Sequence, residues 1–423
     1  MSFSVTKLAP AMVGPCEPTP SSSLPLSPID RAPGMRRLID LFLVFGPAQD
    51  PAKVVREALS RALVYYYPVA GRFAVPDSGE LAVACTGDGI WFVEASADCS
   101  LKDVSNLERP FMIPKEELIP CPPPQVKQDD VFLMLQKLIH ASQVTQFRCG
   151  GYVVGIRFNH AIFDGVGVAQ FLKAIAELAK GLAQPTVKPI WCREAVPDPP
   201  KLLPPGPPPV FQPLSLEQSI LDVSSDRIDQ IKNQFTSETC QNCSKFDVVS
   251  AMVWHCRTRA INLEPQVDVH LAFPVNTRRL LQEVLPKVEG YYGNCVYPMA
   301  ITAPNEKIKN ASIVEIVSMI REAKESVPTR FSRWVKGDPK KGPRMVPLEY
   351  GSFCVTDWSQ VGFHEVDFGW GGPIQVAPLT EDDLIPWCIL LQSPAPKRGV
   401  RLLLRCVLKE HLEAFHYQMM SLV

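Results

Sequence analysis

The sequence predicts an α/β protein of two domains. Three observations carry this expectation: the length, the alternation of strand and helix signals in both halves, and one proline-dense stretch near the middle. At 423 residues the chain exceeds what one hydrophobic core usually organises. Hydrophobic residues at 46 % and charged residues at 21 % are ordinary globular proportions, enough to fill two cores.

In the first half, residues 36–45 read as an apolar strand. Asp50 and Pro51 then supply an N-cap and a first-turn proline for a helix. Val55, Leu59, Leu63 and Tyr66 give that helix an apolar face at helical spacing. Residues 80–85, 90–94 and 152–158 read as further strands. Gly165 opens a helix on which Val168, Phe171, Leu172, Ile175 and Leu178 share one face. In the second half, residues 246–261 and 312–325 read as helices and 267–275 and 400–406 as strands. A terminal helix starts near Lys409. Strands and helices mixed in both halves argue for α/β architecture throughout.

The 42 prolines are about twice the usual usage, and many stand between Pro197 and Pro213. That stretch suits neither helix nor central strand, so it is expected to be an extended crossover. The expected division is an N-terminal domain at 1–190, a linker at 191–215 and a C-terminal domain at 216–423.

Several function classes fall away on composition. Net charge is −1 and Lys and Arg are spread along the chain, so no nucleic-acid partner is expected. No apolar run reaches the ~18–20 residues of a membrane span. The opening MSFSVTKLAPAMV lacks a basic region followed by a long apolar stretch, so no secretory signal and a cytoplasmic location are expected. The chain is also expected to be a monomer. The 13 cysteines sit in apolar contexts that suit reduced thiols. Cys240 and Cys243 form one CxxC without two further ligands, so no metal is expected.

Chemistry concentrates between Val153 and Gly167, where an apolar strand ends at His160, a short turn holds Asp164, and an amphipathic helix begins. Strand ends commonly build sites in α/β folds, and imidazole suits proton transfer near neutral pH. By itself this pattern also fits a satisfied core histidine. No G-x-S-x-G elbow supports a serine hydrolase. A second motif, Asp367-Phe368-Gly369-Trp370-Gly371, reads locally as a turn.

Together, H-x-x-x-D and D-F-G-W-G make the sequence resemble the plant BAHD acyltransferases. Leu26-Ser27-Pro28-Ile29-Asp30, Tyr67-Pro68-Val69-Ala70-Gly71-Arg72, Cys85-Thr86-Gly87-Asp88-Gly89 and Phe147-Arg148-Cys149-Gly150-Gly151 extend the likeness. Asn276-Thr277-Arg278 and Tyr291-Tyr292-Gly293-Asn294 carry it into the second half. The resemblance implies two chloramphenicol-acetyltransferase-like domains joined by the crossover, with an active-site channel at their interface. It implies acyl-CoA as co-substrate and His160 as the general base that deprotonates an alcohol or amine acceptor. Asp164, paired with Arg278, and Asp367 with Gly369 would support the site. Thr356 and Trp358 would lie beside the acceptor and oxyanion, and Ser244 and Lys245 on the coenzyme side. For Ser244, Lys245, Thr356 and Trp358, helix capping or core packing is an equal reading. His255, His364, His411 and His416 receive no role.

The likeness is strongest to grass hydroxycinnamoyltransferases and benzoyltransferases. It implies a p-coumaroyl, feruloyl or benzoyl donor and an alcohol acceptor such as a monolignol or cell-wall hydroxyl. Amine acylation, a peptide-synthetase condensation domain and a catalytically silent ligand-binding homologue are the alternatives. One departure stands out. The family runs from a leucine–glutamine pair directly into V-T-x-F, whereas here residues 137–143 separate Leu135-Gln136 from Val144-Thr145. These seven residues are expected to interrupt a strand beside the catalytic one, and their deletion to raise stability or activity.

Overall fold

The computed structural model describes residues 3–32, 35–76, 79–120, 140–196, 213–282, 285, 287–336, 338, 346–381 and 383–422. Most of the proline-rich crossover, at 197–212, lies outside the described residues, as do Lys137, Leu138 and Ile139 of the expected interruption.

The strands of the first half are β1 (Val5–Lys7), β2 (Ala11–Val13), β3 (Ser23–Pro25), β4 (Leu38–Pro47), β5 (Arg72–Ala74), β6 (Ala82–Ala84), β7 (Ile90–Ala97), β8 (His140–Phe147) and β9 (Gly151–Asn159). Those of the second are β10 (Leu216–Ser224), β11 (Asp268–Asn276), β12 (Val296–Pro304), β13 (Ser352–Asp357), β14 (Gln375–Pro378), β15 (Trp387–Gln392) and β16 (Gly399–Leu408).

The chain divides into two compact units, and neither is contiguous. The first comprises Met1–Pro197, Leu281–Cys295 and Val361–Thr380; the second comprises Asp198–Leu280, Val296–Gln360 and Glu381–Val423. A contiguous C-terminal domain at 216–423 was expected from the proline run, but the Asp367–Gly371 motif falls in the first unit. The physical cause is strand pairing: β14 runs antiparallel to β4, Val376 opposite Leu43, and so returns this late segment to the first sheet.

In the first unit the main sheet has the order β1-β7-β8-β9-β4-β14, with β2 also pairing β7. A smaller sheet runs β3-β6-β5. The helix Pro51–Tyr65 begins on its proline, and Val55, Leu59 and Leu63 are buried as the spacing predicts. Asp50 does not cap it: the residue is left-handed, at φ 47°, and its side chain makes no cap hydrogen bond. The helix Gly165–Ala179 buries all five residues of its predicted face.

The second unit holds the sheet β10-β16-β15-β13-β11-β12. Two of its helices start on reciprocal caps that the sequence spells out. Ser244 and Asp247 exchange side-chain and backbone hydrogen bonds at the start of Lys245–Ile261. Ser312 and Glu315 do the same for Ile313–Val335, which continues ten residues beyond the predicted end, past Pro328. His255 is buried in Lys245–Ile261, with Nδ1 3.0 Å from the Ile308 carbonyl oxygen.

The expected strand interruption is overturned for the described part. His140, Ala141, Ser142 and Gln143 are the first half of β8, a strand whose pairing with β9 runs in continuous register. They lie opposite Phe158, Arg157, Ile156 and Gly155 of β9, and Ala141 to Gln143 also pair with Trp91 to Val93 of the parallel β7. Gln143 itself supplies the glutamine ahead of Val144-Thr145. Periodicity failed here because β8 is covered on both faces, so its sequence does not alternate. His140 packs edge-on against Phe171, with Nε2 2.8 Å from Ser142 Oγ, and burial pushes its pKa down to about 3.

Candidate active site

The catalytic candidate is placed by the end of β9. The β9–β4 ladder closes at Asn159 opposite Leu38, and the His160 amide then donates to the Arg37 carbonyl at 2.9 Å. Asn159 turns the chain out of the sheet, its Oδ1 accepting from the Ala161 amide at 3.0 Å. Asp164 starts the next helix, its Oδ1 accepting from the Gly167 amide at 2.9 Å. Its Oδ2 accepts from the Cys295 amide at 3.1 Å, so this carboxylate ties the turn to a distant segment as well as capping the helix.

His160 as a residue is partly exposed, but its Nδ1 is buried and meets no partner at hydrogen-bonding distance and angle among the described residues. Burial pushes the imidazole pKa below its ordinary value, and the positive charge of Arg37 acts in the same direction. Its own backbone, the Asp164 carboxylate and the Asn294 amide pull back only in part. The ring is therefore neutral at neutral pH, the state a general base requires.

A buried polar cluster lies beneath this turn. Asp30 and Arg193, both 0 % exposed, form an ion pair. Asp30 Oδ2 also accepts from the Ser27 amide and hydroxyl at 3.0 and 2.7 Å. Asp30 Oδ1 accepts from the Asn294 backbone and side-chain amides at 3.1 and 2.8 Å. Asn294 Nδ2 donates onward to the His160 carbonyl at 2.7 Å, and Arg193 donates to the Ile162 carbonyl at 2.7 Å. Asp30 and Asn294 entered the sequence analysis only as marks of resemblance. Arg193 was missed, and no local signal distinguishes it.

The Asp367–Gly371 segment is the turn the sequence indicates. Asp367 Oδ1 accepts from the Gly369 and Gly371 amides at 2.9 and 2.8 Å, and both glycines adopt positive φ, at 111° and 97°. Phe368 is buried against Phe45, and Trp370 stands edge-on to Tyr152. Burial would raise the Asp367 pKa, but the two amides and Lys180, 3.6 Å away, hold it below the usual carboxylate value. Asp367→Ala is expected to cost about 1–2 kcal/mol after allowing for partial exposure, a fall of a few degrees in Tm. Affinity for coenzyme A should change little. Calorimetry beside a coenzyme titration checks this, and an unchanged Tm with a large loss of coenzyme binding would reverse the assignment.

The remaining predicted residues lie in the second unit. Thr356 is half-buried in β13, opposite Ile389 of β15. Trp358 follows the strand, its amide donating to the Leu390 carbonyl at 2.8 Å and its ring packed against Trp387, Ile389, Leu391 and Leu403. Ser244 is a helix cap. Lys245 Nζ donates to Ser359 Oγ at 3.0 Å, and Ser359 donates to Asp357 Oδ1 at 2.7 Å. The fold thus brings Lys245 to the segment that follows Thr356 and Trp358. Arg278 is buried, its amide donating to Asn276 Oδ1 at 3.0 Å. Cys240 and Cys243 are free thiols, and no described cluster of three or more His, Cys, Asp or Glu side chains could hold a metal.

Comparison with known proteins decides the family. The model of the Transferase family matches residues 3–422. The chain is a BAHD acyltransferase. Acyl transferase 9 of Oryza sativa subsp. japonica is 43 % identical over 418 residues, covering 98 % of this BAHD chain and 97 % of that protein. A myricetin 3-O-glucosyl 1,2-rhamnoside 6'-O-caffeoyltransferase, AT2 of Crocosmia x crocosmiiflora, is 44 % identical over 441 residues, covering 99 % of both. The 3'-N-debenzoyl-2'-deoxytaxol N-benzoyltransferase of Taxus canadensis is 34 % identical, covering 100 % of this chain and 97 % of that one.

Among solved structures, vinorine synthase matches with a TM-score of 0.75 at 19 % identity, over 99 % of this chain and 98 % of that one. TRI101 of F. sporotrichioides, complexed with coenzyme A and T-2, matches at 0.70 and 17 % identity, over 94 % and 97 %. At such identities the likeness speaks for the fold, the two-domain α/β architecture that the resemblance implied. The BAHD chain is an acyl-transferring enzyme. None of its described helices is long and apolar enough to cross a membrane.

Proposed function

We propose that the enzyme transfers an aromatic acyl group from its coenzyme A thioester to an alcohol, with His160 as the general base. The observation that carries this reading is a histidine at the end of β9 on a turn braced through its backbone, where burial favours the neutral ring. The acceptor hydroxyl gives its proton to His160 as its oxygen attacks the thioester carbonyl. The tetrahedral oxyanion collapses, the carbon–sulfur bond breaks, and the coenzyme leaves as a thiolate that takes up the proton. A thioester is already activated, so transfer proceeds within a ternary complex and no acyl-enzyme forms. Asp164 and Arg278 serve as structural supports of the site, Thr356 and Trp358 serve the acceptor and oxyanion, and Ser244 and Lys245 serve the coenzyme.

The names of the relatives favour hydroxycinnamoyl and benzoyl groups: one is a caffeoyltransferase, another a benzoyltransferase. A p-coumaroyl or feruloyl donor and a monolignol or cell-wall hydroxyl fit that range. Transfer to an amine is the second reading, favoured by the N-benzoyltransferase of Taxus canadensis. Incubation with a panel of acyl-CoAs against alcohols and amines, with mass detection of products, tests both. An ester from an aromatic donor is the expected product. Only acetyl transfer, or an acyl adduct on protein lacking acceptor, would overturn the reading.

The pH profile follows from the lowered His160 pKa. A base with a depressed pKa stays neutral as pH falls below the ordinary histidine value of about 6.5. The acid limb of kcat/KM, which reports the free enzyme, should therefore bend below about 6.5. An inflection at or above that value would count against His160 as the titrating base.

A further inference from the structure

A fully buried ion pair is weak evidence for stability, because two desolvated charges can often be replaced by apolar residues without loss. What Arg193 and Asp30 hold accounts better for their burial. One end of the guanidinium meets Asp30 and the other caps the Ile162 carbonyl. Asp30 orients Asn294, whose side chain caps the His160 carbonyl. Both carbonyls belong to the turn that carries His160, one at its first residue and one two residues on. Arg193 is in turn packed against the Trp191 ring, 4.3 Å from the centroid, and the Tyr292 ring, at 5.3 Å. Gly293 admits this contact: a Cβ there would stand 2.5 Å from the guanidinium.

We propose that Arg193, acting with Asp30, is the positioning residue for His160. Its planar fork holds the turn by two backbone carbonyls, one directly and one through Asp30 and Asn294, and so fixes the backbone that carries the imidazole. This rests on His160 being the base. The fork geometry is what matters, since an ammonium of the same charge cannot serve Asp30 and the Ile162 carbonyl in the same way.

Arg193→Lys tests this, because it keeps the charge opposite Asp30. Loss of positioning should lower kcat by ~10–100-fold, as a misplacement of about an ångström does, with KM for donor and acceptor within ~2-fold. The acid limb of kcat/KM should also move up toward the ordinary histidine value, because a loosened turn admits water to the ring. A merely structural role would not move that limb. A kcat within ~2-fold of the parent, an unmoved limb, or a loss explained by the fraction of folded protein would each overturn the proposal. If Arg193→Lys is insoluble, Asp30→Asn combined with Arg193→Met, which leaves no buried charge, is judged by the same criteria. His160→Ala is measured in parallel. Should it remain active, the base itself is misassigned; should it be inactive while Arg193→Lys behaves like the parent, only the positioning role fails.

Discussion

His160→Ala is expected to fold like the parent and to lose ~10²–10⁴ of its transfer rate, the usual effect of removing a general base. Both halves of that expectation come from the same geometry. The links that hold residue 160 in place are made by its backbone: the amide to the Arg37 carbonyl, and the carbonyl from Asn294 Nδ2. Truncation leaves these intact. A variant with an unchanged melting transition and a rate down by that factor would separate chemistry from folding. Retention of more than about a tenth of the rate would remove His160 from the mechanism.

Deletion of residues 140–143 is expected to abolish soluble expression. If the strand retracts, β7 and β9 lose a shared partner over this stretch, at ~1–3 kcal/mol for each backbone group left buried and unsatisfied. If the upstream chain is drawn in instead, Lys137 takes the place of Ala141, which is 2 % exposed and packed on Trp91. A lysine there carries a desolvation cost of several kcal/mol. Gln143 would be lost too, with its donations to the Glu117 carbonyl at 2.7 Å and to Thr145 Oγ1 at 2.9 Å. Either route costs an amount comparable with the ~5–15 kcal/mol that holds a domain together. Soluble yield and a fluorescence melt are the measurements, and a deletion protein matching the parent in both would show β8 to be dispensable there. Removing residues 137–143 would therefore destabilise the protein, contrary to the gain the sequence suggests, because four of the seven belong to β8.

Much of the local structure was legible because its causes are local. Pro51 opens a helix, Ser244 with Asp247 and Ser312 with Glu315 spell out caps, and the face from Val168 to Leu178 is set by helical spacing. The strand-to-turn-to-helix course through His160 and Asp164 was readable for the same reason, as was the glycine turn at Asp367. Asp50 shows the limit even of local rules, since its backbone conformation keeps the side chain from the cap it was expected to make.

Three things waited on tertiary structure. β8 is paired on both sides and covered on both faces, so it shows no period-two pattern to read. The division into units depends on β14 pairing with β4, a contact between residues more than three hundred positions apart. Arg193 looks like any other arginine until the fold carries it 163 positions back to Asp30 and against the turn that bears His160. Local conformation follows from neighbours within a few residues. Burial of a charge is decided by segments that meet only when the chain has folded, and no pattern within one segment announces it.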